Sequence, residues 1–66
     1  MDIAELAGLL HETAERHHPY EQSGPAHNWW DWYAAYIEAR RSGSAPDDAS
    51  EKAGRYMEQV LRAAAD

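Results

Sequence analysis

Apolar side chains recur near the start of the chain at intervals of three and four residues, the spacing of one face of an α-helix. The stripe begins with Ile3, Leu6 and Leu10, and Thr13 and His17 continue it at the same spacing. Asp2 and Glu5 stand at its start with the spacing of a capping box. Pro19 disfavours helical geometry at the residue before it and lacks an amide donor. The pattern therefore predicts a first helix over residues 3–17.

Residues 18–27 contain two prolines and a glycine without apolar periodicity, which predicts a long connecting loop. Beyond it, Asn28 suits the N-cap of a second helix, and Asp31 suits the positive end of the helix dipole. Gly43 is typical of the residue that follows a helix C-terminus. We expect this second helix over residues 29–42.

A third apolar stripe predicts another helix over residues 46–64, with Pro46 in its first turn. The stripe consists of Ala49, Ala53, Tyr56, Val60 and Ala63. No segment alternates with a period of two, so no strand is predicted. Three helices in one short chain predict an all-α three-helix bundle that forms a single domain over residues 1–66.

The facing stripes also predict which residues form the core of the bundle. These residues are Ile3, Leu6, Leu10, Trp30, Tyr33, Ile37, Ala53, Met57 and Val60. The second helix has more aromatic side chains than one face of a small bundle can bury, which predicts a surface for a ligand or a partner. Its candidate residues are Trp29, Trp30, Trp32, Tyr33 and Tyr36. Alternatively, Trp29 and Trp32 pack beneath the loop as a satellite cluster.

Composition narrows the choice of function. The chain has 66 residues and no cysteine, so neither disulfides nor thiolate ligands stabilise it, and a partner subunit is expected to help. Twelve acidic residues against six basic ones give a net charge of −6, which disfavours binding to nucleic acid. The sequence has no long apolar run and no pattern of a signal peptide, so we expect a cytoplasmic protein without membrane contact.

A group of histidines and carboxylates is the candidate metal site. Glu15 and His18 have the Glu-x-x-His spacing of di-iron bundles, and His11 lies four residues before Glu15. His27 and Asp31 are also four residues apart. If the first two helices are antiparallel, these side chains lie near one end of the bundle and could bind zinc, iron or manganese. The alternative is that they are solvated helix ends and caps.

No Ser-His-Asp or Cys-His arrangement and no glycine-rich phosphate loop is recognisable, so we do not expect an enzyme. The leading hypothesis is an interaction module that self-associates, or docks on a larger protein, through the second helix. A second hypothesis is a pocket for a planar or cationic small molecule between the tryptophan-rich face and the loop. A metal-binding bundle is the third.

Segment 27–40 reads His-Asn-Trp-Trp-Asp-Trp-Tyr-Ala-Ala-Tyr-Ile-Glu-Ala-Arg, and Gly43, Pro46, Ala49 and then Tyr56-Met57-Glu58 follow it. The segment resembles a group of short, all-helical actinobacterial proteins that share a His-x-Trp-x-x-Trp-Tyr-Ala-Ala-Tyr pattern and often carry bleomycin-resistance-like labels. The resemblance covers most of the chain. It implies a helical architecture and transfers no catalytic residue.

Overall fold

The computed structural model describes residues 2–24 and 26–65, and within them the chain forms three α-helices. They are α1 (Ile3–Ser23), α2 (Trp29–Arg41) and α3 (Pro46–Ala65). The expected all-α three-helix bundle is confirmed, and α2 and α3 end within one residue of their predicted bounds. None of the described helices is both long enough and apolar enough to cross a membrane.

A tight turn joins α2 to α3. Gly43 has a φ of 104°, a left-handed conformation that glycine adopts at little cost. Its amide donates to the carbonyl of Arg40 at 3.1 Å, and the amide of Ser44 donates to the carbonyl of Ala39 at 3.0 Å. These two bonds form a Schellman cap. The short turn makes α2 and α3 antiparallel neighbours, and they share the most extensive helix interface in the described bundle.

The first helix is longer than its sequence pattern predicted. The expected end at residue 17 is wrong, because α1 continues through Pro19 to Ser23. The predicted loop over 18–27 is accordingly reduced to a connection over residues 24–28.

Packing against the core explains why α1 continues through a proline. An interior proline costs a helix about 3 kcal/mol, because it removes one hydrogen bond and crowds the preceding turn. Tyr20 follows at the next position of the apolar stripe and packs against the core of the bundle. The hydroxyl of Ser23 also donates to the carbonyl of Pro19 at 2.9 Å. Burial of an aromatic ring therefore offsets the local preference for a helix end.

Contacts between helices fix the direction of α1. Near the middle of α1, Glu12 bonds to Arg40 at the end of α2. Near the end of α1, the ring of Tyr20 lies 6.0 Å from that of Trp32, close to the start of α2. The two helices are therefore antiparallel, and α1 runs in the same direction as α3.

Three apolar residues at the start of α1 are exposed, so their assignment to the core is wrong. They are Ile3, Leu6 and Leu10. The cause is the register of the helices. Arg40, in the last turn of α2, lies beside Glu12, and Asp47, in the first turn of α3, pairs with Arg16 at 2.7 Å. The first turns of α1 therefore reach beyond the end of α2 and the start of α3. Leu9 still packs against the core, and we call the exposed residues Ile3, Leu6 and Leu10 the α1 overhang.

The observed core lies between α1 and the α2–α3 hairpin. Its apolar residues are Trp32, Tyr36, Ala39, Ala49, Ala53 and Met57. Thr13 and His17 of α1 are buried with them. The prediction is thus confirmed for Ala53 and Met57. Three other predicted core residues, Tyr33, Ile37 and Val60, are half-buried.

Trp30 was expected in the core and is instead 54% exposed. The buried face of α2 is Trp32, Tyr36 and Ala39, which repeat at intervals of four and three. Trp30 precedes Trp32 by two residues and therefore lies about 200° around the helix from it. Because α2 is apolar on most of its circumference, its periodicity did not select the buried face.

The faces of α3 provide a test of this packing. We expect Met57→Ala to lower the free energy of unfolding by about 2 to 5 kcal/mol, because the side chain is fully buried. The neighbouring Tyr56 is 43% exposed, and Tyr56→Ala should cost less than about 1 kcal/mol. Urea unfolding of both variants measures the difference, and equal losses would contradict the assigned orientation of α3.

Candidate functional site

Aromatic and histidine side chains meet where α1, the connection and α2 come together. This histidine cluster consists of His17, Tyr20, His27, Trp32 and Tyr33. The centroids of neighbouring rings lie 4.8 to 6.3 Å apart, several of them edge to face. Such contacts stabilise aromatic groups beyond the burial of their area. His17 lies at the centre and is only 2% exposed.

A chain of polar contacts runs through the histidine cluster. Nδ1 of His17 lies 3.0 Å from Oε1 of Glu21, and Nε2 of His17 lies 2.7 Å from Nε2 of His27. Because a carboxylate only accepts, Nδ1 of His17 carries a hydrogen, and the neutral ring offers the lone pair of Nε2. Nε2 of His27 then donates to it. Burial lowers the pKa of His17 more than the nearby carboxylate raises it, which favours this neutral form.

The sequence interpretation missed this arrangement because it ended the first helix too early. His17 and Glu21 are four residues apart, so they face each other only if the helix continues past Pro19. One signal could have revealed it: Tyr20 extends the stripe of Thr13 and His17 at the correct spacing.

A cavity of about 480 Å³ opens beside the histidine cluster. It is lined by His17, Glu21, Gly24, Ala26, His27 and Trp29. The cavity thus combines two imidazoles, one carboxylate and one indole ring. It lies between the connection and the start of α2, where the sequence predicted a small-molecule pocket.

A second polar group ties α1 to the end of α2. The hydroxyl of Tyr36 donates to Oε2 of Glu12 at 2.6 Å, and Nε of Arg40 donates to the same oxygen at 2.7 Å. Arg40 also donates to the carbonyl of Ser44 at 2.9 Å, in the turn after α2. Glu12 therefore joins two helices and, through Arg40, the turn between α2 and α3.

These bonds shift the acidity of the groups that make them. The hydrogen bonds from Arg40 and Tyr36 lower the pKa of Glu12, because they stabilise its charged form. Burial, followed by the bond to Glu12, raises the pKa of Tyr36 to about 12. The group therefore links α1 to α2 by an ion pair and hydrogen bonds. At neutral pH the Glu12 carboxylate is charged and the Tyr36 phenol is neutral.

The residues predicted to bind metal on α1 lie on its exposed surface. Nδ1 of His11 lies 2.9 Å from Oε1 of Glu15, and both side chains are mostly exposed. His18 is exposed too, and its Nε2 lies 3.2 Å from the amide nitrogen of Gln22.

The other two predicted metal ligands lie at the start of α2. His27 and Asp31 line a common cavity of about 410 Å³, and Nε2 of His27 meets His17. Across the residues that the structure describes, no three His, Asp or Glu side chains form a ready-made set of metal ligands. The structure therefore brings His27 together with a histidine outside the predicted set.

The five candidate aromatic residues separate into a buried and an exposed group. Trp32 and Tyr36 are buried in the core, where their rings stack with centroids 5.3 Å apart. Trp29 and Trp30 are each 54% exposed, and their rings meet edge to face at 5.6 Å. Tyr33 is half-buried, with its ring 5.0 Å from that of Trp29. Of these five residues, Trp29 and Trp30, which we call the Trp pair, offer the largest aromatic surface to a partner.

The chain matches no protein-family model, no curated protein and no solved structure. The resemblance to short actinobacterial proteins therefore stays a prediction. Any proposal of function depends on the geometry of the described residues.

The hydrogen bond between Tyr36 and Glu12 predicts how the free energy of unfolding changes at alkaline pH. Tyr36 has a higher pKa in the folded chain than the value of 10 for an unperturbed tyrosine. Its contribution to stability is therefore full below about pH 10 and is lost as the pH rises towards 12, a loss on the order of 2 to 3 kcal/mol. We expect Tyr36→Phe to remove this part of the loss. Urea unfolding measures it at about pH 9, below that range, and at about pH 11.5, by which most of the loss is expected.

Tyr56→Phe is the matched control, because Tyr56 is exposed on α3. It should keep the alkaline loss of the wild-type chain. If Tyr36→Phe and Tyr56→Phe respond alike, Tyr36 does not carry the effect.

Proposed function

We propose that this chain is a non-enzymatic helical interaction module that self-associates with a second copy. The observation that carries the proposal is the Trp pair, since Trp29 and Trp30 each leave about half of their surface exposed at the start of α2. Tryptophan is enriched in protein interfaces, and adjacent exposed indole rings favour contact with a partner over contact with water.

The small size of the core favours a second copy as the partner. Three of the six buried apolar residues in the described chain are alanines, so only Trp32, Tyr36 and Met57 bury a large side chain. Chains of this length commonly need a disulfide, a metal or oligomerisation for stability. The sequence has no cysteine, and a second copy adds apolar burial to each chain equally.

Two apolar surfaces lie at opposite ends of the molecule, which is 39 Å long. The α1 overhang is at the end where α2 finishes, and the Trp pair is at the end where α2 begins. Two copies related by a two-fold axis and packed in opposite directions would place the overhang of each beside the Trp pair of the other. In such an isologous dimer, the overhang and the Trp pair of each copy are both buried, and the assembly is closed.

Sedimentation equilibrium tests the proposal. We expect the wild-type chain to form a dimer at micromolar concentration and its melting temperature to rise with concentration. Trp29→Ala combined with Trp30→Ala should raise the dissociation constant at least about tenfold, because central aromatic residues dominate interface energies. Leu6→Ala combined with Leu10→Ala should also weaken association.

Tyr56→Ala is the control, because it removes an exposed aromatic residue on α3 that lies outside both surfaces. It should leave the dissociation constant unchanged. A wild-type chain that stays monomeric, with a melting temperature independent of concentration, would refute self-association. Recovery of a larger protein on the Trp pair would then support docking on a partner.

The cavity beside the histidine cluster favours a second candidate function, the binding of a planar or cationic small molecule. Its volume of about 480 Å³ is in the range of ligand pockets. Trp29 offers a ring face for stacking, and Glu21 offers a negative charge to a cation.

Intrinsic tryptophan fluorescence tests the second candidate. A panel of planar cationic compounds should quench emission in a saturable manner, because Trp29 lines the cavity. Trp29→Phe should remove this quenching. Trp30→Phe is the matched control and should retain it, because Trp30 does not line the cavity. Unchanged emission at roughly millimolar ligand, the weakest affinity of interest, would exclude this candidate.

A cytoplasmic location, the absence of enzymatic activity and the absence of nucleic-acid binding stay predictions from composition and motifs.

A further inference from the structure

The contact between His17 and His27 brings two imidazole nitrogens together in a way that suits a pair of metal ligands. Both rings direct the same atom, Nε2, at one point, and the two atoms are 2.7 Å apart. Imidazole nitrogen is a preferred ligand of zinc, copper and nickel. In the arrangement described above, a single hydrogen lies between the two nitrogens, where a metal ion would accept both lone pairs.

Glu21 gives His17 the outer contact that is typical of a metal-bound histidine. Such a histidine usually donates its other ring N–H to a carboxylate or carbonyl, which fixes the tautomer and makes the ligating nitrogen more basic. Nδ1 of His17 lies 3.0 Å from the carboxylate of Glu21. His17 is also packed against the rings of Trp32 and Tyr33, which fix its orientation.

A metal ion fits between the two nitrogens after a small movement. Bonds of 2.0–2.1 Å at a tetrahedral angle place two nitrogens roughly 3.3 Å apart, so the rings must separate by about 0.6 Å. His17 lies on α1 and is buried, whereas His27 lies outside the helices in the connection over 24–28. A shift of His27 therefore leaves the hydrogen bonds of α1 and α2 intact.

We propose that His17 and His27 together bind a divalent transition-metal ion that prefers imidazole nitrogen, such as Zn²⁺ or Ni²⁺. The cavity of about 480 Å³ that both histidines line gives room for water molecules to complete the coordination shell. Glu21 lines the same cavity and partly neutralises the charge of the ion. The site differs from the predicted set of His11, Glu15, His18, His27 and Asp31, with which it shares only His27. Both ligands belong to one chain, so the site does not require a second copy.

Binding of the ion displaces the hydrogen between the two nitrogens, and Nδ1 of His27 takes it up, so a neutral His27 ligates through Nε2 without net release of a proton. With only two protein ligands and exchangeable water, we expect weaker binding than at a structural zinc site with four protein ligands. Because the ligands are nitrogens, Ni²⁺ and Zn²⁺ bind and Mg²⁺, which prefers oxygen, does not.

Calorimetric titration of the untagged chain with Zn²⁺, Ni²⁺ and Mg²⁺ is the test. We expect one Zn²⁺ or Ni²⁺ per chain and no saturable heat from Mg²⁺. His27→Gln and His17→Gln should each weaken Ni²⁺ binding at least about tenfold, and Glu21→Gln should weaken it to a smaller extent. His11→Gln and His18→Gln are matched controls on the exposed face of α1 and should leave the affinity unchanged.

Circular dichroism of each variant separates loss of a ligand from loss of the fold. His27→Gln is the decisive variant, because His27 lies outside the helices and the helical signal should be retained. Nickel should also quench the emission of the wild-type chain, since the ring of Trp32 lies 5.1 Å from that of His17. Absence of saturable binding up to about 1 mM metal would overturn the proposal. Equal losses in His11→Gln and His27→Gln would overturn it as well, since they would assign the binding to surface histidines in general.

Discussion

The burial of Tyr20 beyond a proline is the interaction on which the rest of this structure depends. Its ring packs near Trp32 and His27 and holds α1 in helical form for one more turn. That turn places the carboxylate of Glu21 beside Nδ1 of His17. It also shortens the connection to α2, which brings His27 into contact with His17. A local preference of about 3 kcal/mol for ending the helix is thus outweighed by aromatic packing. Both the histidine cluster and its cavity follow from this single outcome.

The bundle combines two different kinds of helix interface. Alanines at 39, 49 and 53 let α2 and α3 approach closely, so their interface depends on small side chains and a tight turn. Against this hairpin, α1 packs with Thr13, His17 and Tyr20, and it is fastened by Glu12. The interface of α1 is therefore aromatic and polar, with directional bonds that fix its register. Because that register leaves Ile3, Leu6 and Leu10 exposed, the apolar surface of the overhang is a consequence of the same polar contacts.

Sequence patterns predicted the parts of the fold that local chemistry determines. Gly43 and Pro46 mark the turn because few other residues suit those backbone positions, so the bounds of α2 and α3 were accurate. The register of α1 was not predictable from its stripe, which continues unchanged from residues that are exposed to residues that are buried. The buried face of α2 was equally hidden, since aromatic residues occupy most of its circumference. In the candidate site, His27 was identified from sequence, but its partner His17 was not, because the contact depends on tertiary packing.

The Schellman turn at Gly43 has a consequence for how the chain folds. Contacts across a four-residue turn are local in sequence, and local contacts form quickly because little chain entropy is lost in closing the loop. We therefore expect the α2–α3 hairpin to form first and α1 to dock on it afterwards. Trp32 and Tyr36 lie between these two units. Undocking α1 alone, without melting the hairpin, would expose the largest rings of the core, so a local opening of this molecule would uncover its most apolar face.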